Sequence, residues 1–221
     1  MTPTDKIALV TGASRGLGAA MAEQLATRGY HVLALARTSG ALEELDDRIK
    51  AAGGSATLAP MDITNDNAMQ HLCRSAHERW GGIDLWVHAA VHAAPLSPAT
   101  SIDQKDWDKS TSINLDATRR LIVYVAPLLQ ARTDSKALFF DDTGIAGKFF
   151  GSYGATKAAQ IALARYWQAE SEKHGPKVHI AQPAPMPTAT RARFYPGEER
   201  DSLVHPMDEA KRICAEILDQ D

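Results

Sequence analysis

Cysteine is nearly absent from this chain of 221 residues. Only Cys73 and Cys214 occur, far apart, with no Cys-x-x-Cys pair and no histidine at zinc-ligand spacing. A disulfide framework and a structural zinc site are therefore not expected, no metal is assigned, and the two thiols read as buried. Long apolar runs are missing too: nowhere do roughly 18 apolar residues follow one another, about the least a helix needs to cross a bilayer. Met1 to Lys6 lacks a basic region with an apolar stretch behind it, so no secretory leader is expected and the chain reads as cytoplasmic. Nor does one sign of charge dominate. Lysine and arginine total 24 against 27 acids, a net charge of -3, with no block of like charges. This argues against nucleic acid or an anionic membrane as partner. What remains is a protein that acts on a small molecule.

With 44% hydrophobic residues, the chain can bury one sizeable core, and residues 1–221 read as a single domain. Six apolar runs have strand length and no polar alternation: Ile7 to Val10, Val32 to Ala36, Ala56 to Ala59, Leu85 to Ala89, Ala137 to Phe140 and Val178 to Ala181. Such runs suit a sheet covered on both faces. Between them, Leu17, Ala20, Met21 and Leu25 fall at helical spacing, as do Leu42, Leu45 and Ile49, and then Ala68, Met69, Leu72, Cys73 and Ala76. Longer helices are expected over Asp106 to Leu129, Tyr153 to Lys173 and Met207 to Leu218. Strands alternating with helices of this size imply right-handed crossovers and an α/β fold, a doubly wound parallel sheet of the Rossmann-like kind.

Thr11-Gly12-Ala13-Ser14-Arg15-Gly16-Leu17-Gly18 lies between the first strand and the first helix. Small residues there let the backbone approach a pyrophosphate, and the helix N-terminus supplies oriented N–H donors. The spacing Gly-x-x-x-Gly-x-Gly differs from the Gly-x-Gly-x-x-Gly fingerprint and, with no Gly-Lys-Ser/Thr following, from a P-loop. NAD-binding folds place an acid about 20 residues beyond the glycines to hold the ribose hydroxyls; here the second strand ends in Leu35-Ala36-Arg37-Thr38. Arg37, with Arg15 in the loop, can instead clamp a 2′-phosphate, so NADP(H) is the expected cofactor. Asp62 has two roles open to it: accepting from the adenine amino group, or capping the helix that follows.

Tyr153 and Lys157 stand four residues apart where a helical pattern begins, on one face. When hydride goes to a carbonyl carbon, the oxygen must gain a proton from an acid within hydrogen-bond reach. A free tyrosine, with a pKa near 10, is about three units too weak an acid at neutral pH, equivalent to roughly 4 kcal/mol. A lysine cation one helical turn along, helped by the positive ring of an oxidised cofactor, stabilises the phenolate and is expected to lower that value.

With Thr11-Gly12-x-x-x-Gly16-x-Gly18, Asp62, Asn114 in Ser112-Ile113-Asn114-Leu115, Tyr153-x-x-x-Lys157 and Thr188 in this order and spacing, the chain resembles the short-chain dehydrogenase/reductase family over nearly its whole length. The resemblance implies an oxidoreductase moving hydride between NADP(H) and a small carbonyl or alcohol substrate. It implies cofactor contacts from Gly12, Ser14, Arg15, Gly16, Leu17 and Gly18, from Arg37, Asp62 and Ile63, from Ala89 and Ala90, and from Tyr153, Lys157 and Thr188. Asn114 resembles the residue that helps position a water relaying protons from the lysine. The family's serine after the fifth strand is missing from Phe139-Phe140-Asp141-Asp142-Thr143-Gly144, and Thr143 is the best candidate to hold the substrate carbonyl. Asp141 and Asp142 read as turn residues. The family's Asn-Asn-Ala-Gly is replaced by His88-Ala89-Ala90-Val91, and its Pro-Gly by Pro183-Ala184. His88 and His92 read as packing or solvent-facing residues. These departures keep open a second reading, an NADP(H)-binding protein with little or no turnover, such as a redox sensor or partner subunit.

Only Asp219, Gln220 and Asp221 follow the last helix, so six strands are expected, without the family's usual seventh. The long helices at Asp106 to Leu129 and Tyr153 to Lys173 are then the expected homodimer surface. Residues 191–205, with Phe194 and Tyr195 among Arg191, Arg193 and Arg200, read as a substrate flap whose arginines can favour an acidic substrate.

Overall fold

A computed structural model describes residues 6–142 and 147–219 of the chain. Six parallel strands, β1 (Lys6–Thr11), β2 (Tyr30–Ala36), β3 (Ser55–Pro60), β4 (Leu85–His88), β5 (Lys136–Phe140) and β6 (Lys177–Ala181), form one sheet in the order β3-β2-β1-β4-β5-β6. Each apolar run of the sequence has become a strand, five of them extended by a residue or two at their ends and the fourth ending at His88, one residue short of the expected Ala89. The α/β, doubly wound Rossmann-like architecture is therefore the observed one.

Strand β1 shows why these runs lack alternation. Successive side chains point to opposite faces, and both faces are covered. Ala8 and Val10 pack with Met21 and Leu25 of α1 (Gly16–Thr27), Leu42 and Leu45 of α2 (Ser39–Ala51), and Ile213 and Ile217 of a C-terminal helix, Pro206–Leu218. Ile7 and Leu9 pack on the other side with Met69 and Leu72 of α3 (Asp66–Trp80) and with Leu121, Val125, Ile161 and Ala164 of the two long helices. Cys73 and Cys214 are free and buried. Burial pushes their thiols up to about 12 and about 11, so they belong to the core and not to any reactive chemistry.

The helix expected over Asp106 to Leu129 runs as α4 (Gln104–Ser110), a π-helical segment (Thr111–Asp116) and α5 (Ala117–Gln130). The wider turn falls around Asn114, which is fully buried. Such bulges inside helices occur often at functional sites. Helix α6 spans Gly151–Ser171, and within the expected flap the chain forms a short helix, α7 (Ala189–Phe194), before α8 (Pro206–Leu218). Asp62 does not cap α3; Asn65 does, its side chain accepting from the Ala68 N–H at 3.1 Å.

The strand order reverses at β1, which has β2 on one side and β4 on the other. In open α/β sheets the crevice at the carboxyl ends of the strands beside such a reversal is where ligands bind.

Candidate active site

A cavity of about 420 Å³ opens at that end of the sheet. Its first wall is backbone. Gly12 and Gly16 have φ of +84° and +57°, conformations that L side chains rarely adopt. A Cβ on Gly12 would lie 2.6 Å from the Ala90 nitrogen and 2.7 Å from the Ala89 carbonyl carbon, and one on Gly18 would collide with the Gly12 carbonyl oxygen. The Leu35 carbonyl accepts from the N–H groups of Gly12 and Ala13, at 2.9 and 3.1 Å, fixing the loop between β1 and β2. Arg15, at the N-cap of α1, offers no side-chain cap, and the first turn holds no acid. The first N–H groups of α1 therefore have no capping side chain, as an anion-binding helix start requires. This glycine-lined cradle fits the pyrophosphate of a dinucleotide.

The same cavity is lined by Ser14, Leu17, Arg37, Asp62, Ile63, Ala89, Ala90, Tyr153, Lys157 and Thr188, so the residues expected around a cofactor come together on one surface. Arg37 is 61% exposed at the rim, 4.0 Å from Asp62. The Asp62 carboxylate also accepts from the Thr64 N–H and hydroxyl, at 2.9 and 2.8 Å, closing the turn after β3. Thr188 caps α7 by accepting from the Arg191 N–H at 3.2 Å, and its methyl group would touch any Cβ placed on Gly16.

Tyr153 lies in the first turn of α6 and is 4% exposed. Its hydroxyl donates to the Asp142 carboxylate at 3.1 Å. Burial, reinforced by that carboxylate, holds the phenol well above its ordinary pKa. From the sequence the opposite direction was expected, through Lys157. Burial and the Asp142 carboxylate outweigh it here, and the Lys157 ammonium donates to the Gln160 side-chain carbonyl at 2.6 Å. Lys157 is itself buried, which pushes it down to about 8.

Behind the cavity wall these groups continue into a buried polar network. The Gln160 amide donates to the Asn114 main-chain carbonyl and to the Thr118 hydroxyl, both at 2.9 Å. Thr118 gives its own proton to the Asn114 carbonyl at 2.9 Å, so it must accept from His88 Nε2, 2.8 Å away. His88 Nδ1 then accepts from the Thr11 hydroxyl at 2.7 Å. Burial, aided by the nearby Lys157 charge, pushes His88 down to about 3, so it is a neutral packing residue, as its sequence context suggested. Asn114 lies behind the wall rather than in it. Its side chain accepts from the His92 N–H at 2.7 Å and donates to the His92 carbonyl and the Thr156 hydroxyl, both at 3.0 Å, pinning the loop after β4 to α6. Between Lys157 and the Asn114 carbonyl stands the Gln160 amide, which passes hydrogen bonds but holds its protons.

The family model for short chain dehydrogenase matches residues 6–199 of this chain. The chain belongs to this family. It is 30% identical over 225 residues to a fatty acyl-CoA reductase of Acinetobacter baylyi, covering 96% of this chain and 76% of that protein. Among solved structures, a 3-ketoacyl-ACP reductase from Sinorhizobium meliloti is 26% identical with a TM-score of 0.83, covering 96% of this chain and 91% of that one. A metagenomic short-chain oxidoreductase in complex with NADP is 25% identical with a TM-score of 0.81, covering 97% and 90%.

Within this short-chain dehydrogenase the sequence reading missed one residue of the site. Thr143, the expected substitute for the family serine, lies outside the described residues; Asp142 is the group that meets Tyr153. The signal was strand alternation carried past the end of β5. The Asp141 N–H still donates to the Ala181 carbonyl at 2.8 Å, and its side chain pairs with Arg165 at 3.2 Å. Phe140 and Asp142, two apart, therefore share a face, and both line the cavity. The flap differs as well. Arg191 forms a two-pronged pair with Glu198 at 2.5 and 2.6 Å and stacks 4.6 Å over the Tyr195 ring, so its charge is already matched and does not await an acidic substrate. Phe194 closes over Tyr153, ring centroids 4.8 Å apart. At the altered Pro-Gly position, the Ala184 N–H donates to the buried Glu209 carboxylate at 2.9 Å.

Proposed function

We propose that this protein is an NADP(H)-dependent oxidoreductase that moves hydride between its cofactor and a small carbonyl or alcohol substrate, with Tyr153 handling the proton. The observation that carries the reading is that the Tyr153 hydroxyl and the glycine cradle line one cavity at the reversal of strand order. Gly12, Gly16 and Gly18 would hold the pyrophosphate, and Thr188, Ala89 and Ala90 would flank the nicotinamide half. Arg37 and Arg15 at the mouth, with no acid at the end of β2, support a 2′-phosphate. A relative solved with NADP supports the same preference. When bound, the cofactor supplies the hydride. The chain's own part is to exclude water with Phe194 and Met186, orient the substrate beside Tyr153, and give or take a proton at the Tyr153 hydroxyl.

For that, the phenol must leave the Asp142 carboxylate or share it with substrate, and the raised pKa must fall once Lys157 and an oxidised nicotinamide lie close. The raised value is also what favours the second reading, cofactor binding with little turnover. Val123 and Tyr166, 58% and 70% exposed on the long helices α5 and α6, support a homodimer through those faces, and the composition supports a cytoplasmic setting. No helix among the described residues is long and apolar enough to cross a membrane.

The deciding experiment measures NADPH binding by its fluorescence and NADPH oxidation against aldehydes, ketones and quinones. Binding with turnover is expected. Binding without oxidation of any substrate class would favour the second reading, and no binding at all would remove both.

A further inference from the structure

At the chemical end of the cavity every charged wall residue but one has a charged or strongly polar partner. Asp141 pairs with Arg165, Arg191 with Glu198, and Lys157 donates to Gln160. Among the described residues Asp142 faces the cavity with no cation in ion-pair distance: its printed hydrogen bond is from the Tyr153 hydroxyl, and the Lys157 and Arg191 charges act on it only from farther off. Three rings stand beside it, with Tyr153, Phe194 and Phe140 lining the cavity and Phe150 packed behind Phe194 at 5.0 Å, while Lys157 and Arg191 line the same cavity with their own partners. A half-buried carboxylate with spare lone pairs, set among ring faces, is a surface for a desolvated cation or a hydrogen-bond donor.

A carbonyl oxygen is neither. It can only accept, and hydride addition puts negative charge on it, beside a carboxylate already there. A protonated carbon–nitrogen double bond is the reverse case. Its N–H donates to Asp142, its positive charge is matched, and the neighbouring anion keeps it in the protonated form that accepts hydride.

We infer that the cavity is built to reduce an iminium substrate in preference to a carbonyl, with Asp142 as the residue that selects it. This rests on the proposed hydride-transfer reading and narrows its acceptor. The step balances without a proton from the protein. The iminium carbon gains a hydride from the reduced nicotinamide, a C–H bond forms, and the π pair of the C=N bond becomes the lone pair of a neutral amine. The substrate loses its positive charge and the nicotinamide takes it up. Tyr153 keeps Asp142 oriented throughout.

The test uses the full chain with NADPH and two bicyclic probes of similar size, dihydroisoquinolinium and tetralone. The expected result is a kcat/KM at least about tenfold higher for the iminium, with the order reversed in Asp142→Ser. A second measurement needs no turnover. Calorimetry on the NADP-loaded protein should show protonated tetrahydroisoquinoline binding at least about tenfold more tightly than neutral tetralol, and Asp142→Asn, which keeps the shape, should remove the difference. If the wild type prefers tetralone, or if both variants keep the wild-type preference, the inference is overturned while the oxidoreductase reading stands. If NADPH binds and neither probe nor any carbonyl is reduced, the oxidoreductase reading falls and takes this one with it.

Discussion

At the turn from β1 into α1 the cavity wall is the backbone itself, whereas at the end of β5 and the start of α6 it is made of side chains. The first region is shaped by missing atoms: no Cβ fits at Gly12 or Gly18. The second is shaped by polar side chains brought together, Tyr153 on Asp142 and Lys157 on Gln160. A backbone cradle tolerates few substitutions and so leaves a plain mark in a sequence. A side-chain cluster can change one member and keep its place, and then its chemistry changes while its position stays readable.

Removing the phenol is the sharpest way to separate the two regions. With a carbonyl substrate, Tyr153→Phe should lower kcat by about 10²- to 10⁴-fold and leave NADPH affinity almost unchanged, since the cradle makes no use of the hydroxyl. Stopped-flow or steady-state kinetics with parallel fluorescence titration would check this. Intact turnover of a carbonyl substrate by the variant would show that Tyr153 is not the acid or base.

The seam between the regions is His88 at the end of β4, and it predicts an acid-sensitive fold. Folded His88 is held at about 3, while the unfolded chain has an ordinary histidine near 6.5. Between those values the unfolded state binds the extra proton, so stability is full above about pH 6.5 and is lost progressively as pH falls toward 3. The loss reaches roughly 4 kcal/mol from this group. His88→Asn keeps an uncharged hydrogen-bonding group and should flatten the profile in urea melts taken from pH 7 to 4. An unchanged slope would mean that other groups carry the acid sensitivity.

The cradle is broken from the other side by Gly12→Ala. The new methyl group meets the Ala90 and Ala89 backbone, which cannot swing away as a flexible side chain would, and the positive φ adds a penalty of about 1–2 kcal/mol. NADPH affinity should fall about 100-fold, equivalent to roughly 3 kcal/mol. The sheet should survive, as judged by circular dichroism. Affinity within a factor of two or three of wild type would show that the loop is not the cofactor cradle.

Much of this was legible before any coordinates. Six apolar runs gave six strands because both faces of the sheet are buried, and the glycine spacing marked the cradle because only glycine satisfies its backbone. Helix α6 and its Tyr153 and Lys157 followed from period and spacing. What escaped depended on proximity across distant segments. Nothing in the helical pattern of α6 marks Gln160 as a buried amide, since its partners Asn114, Thr118 and Lys157 come from two helices. The π-helical segment at Asn114 left no trace either, because its residues suit an ordinary helix equally well. Asp142 was hidden by a local rule: paired acids after a strand are usually turn residues, and only the fold brings Asp142 to the Tyr153 hydroxyl.

The smallest effect is expected at the rim, where Arg37 is 61% exposed and 4.0 Å from Asp62. An exposed guanidinium is well hydrated before any phosphate arrives, so its charge-assisted bonds to a 2′-phosphate should contribute only about 1.5 kcal/mol, near the low end for hydrogen bonds to charged groups. Arg37→Ala should therefore weaken NADPH binding about tenfold while leaving NADH binding untouched, since NADH has no 2′-phosphate. Because the contact is exposed, the difference should shrink as ionic strength rises from about 0.01 M to 1 M and the screening length falls from roughly 30 to 3 Å. Fluorescence titrations with both nucleotides at two salt concentrations would measure it. Equal losses for the two cofactors would assign Arg37 to holding the turn at Asp62, and the preference for NADP(H) would then have to come from Arg15 in the glycine loop.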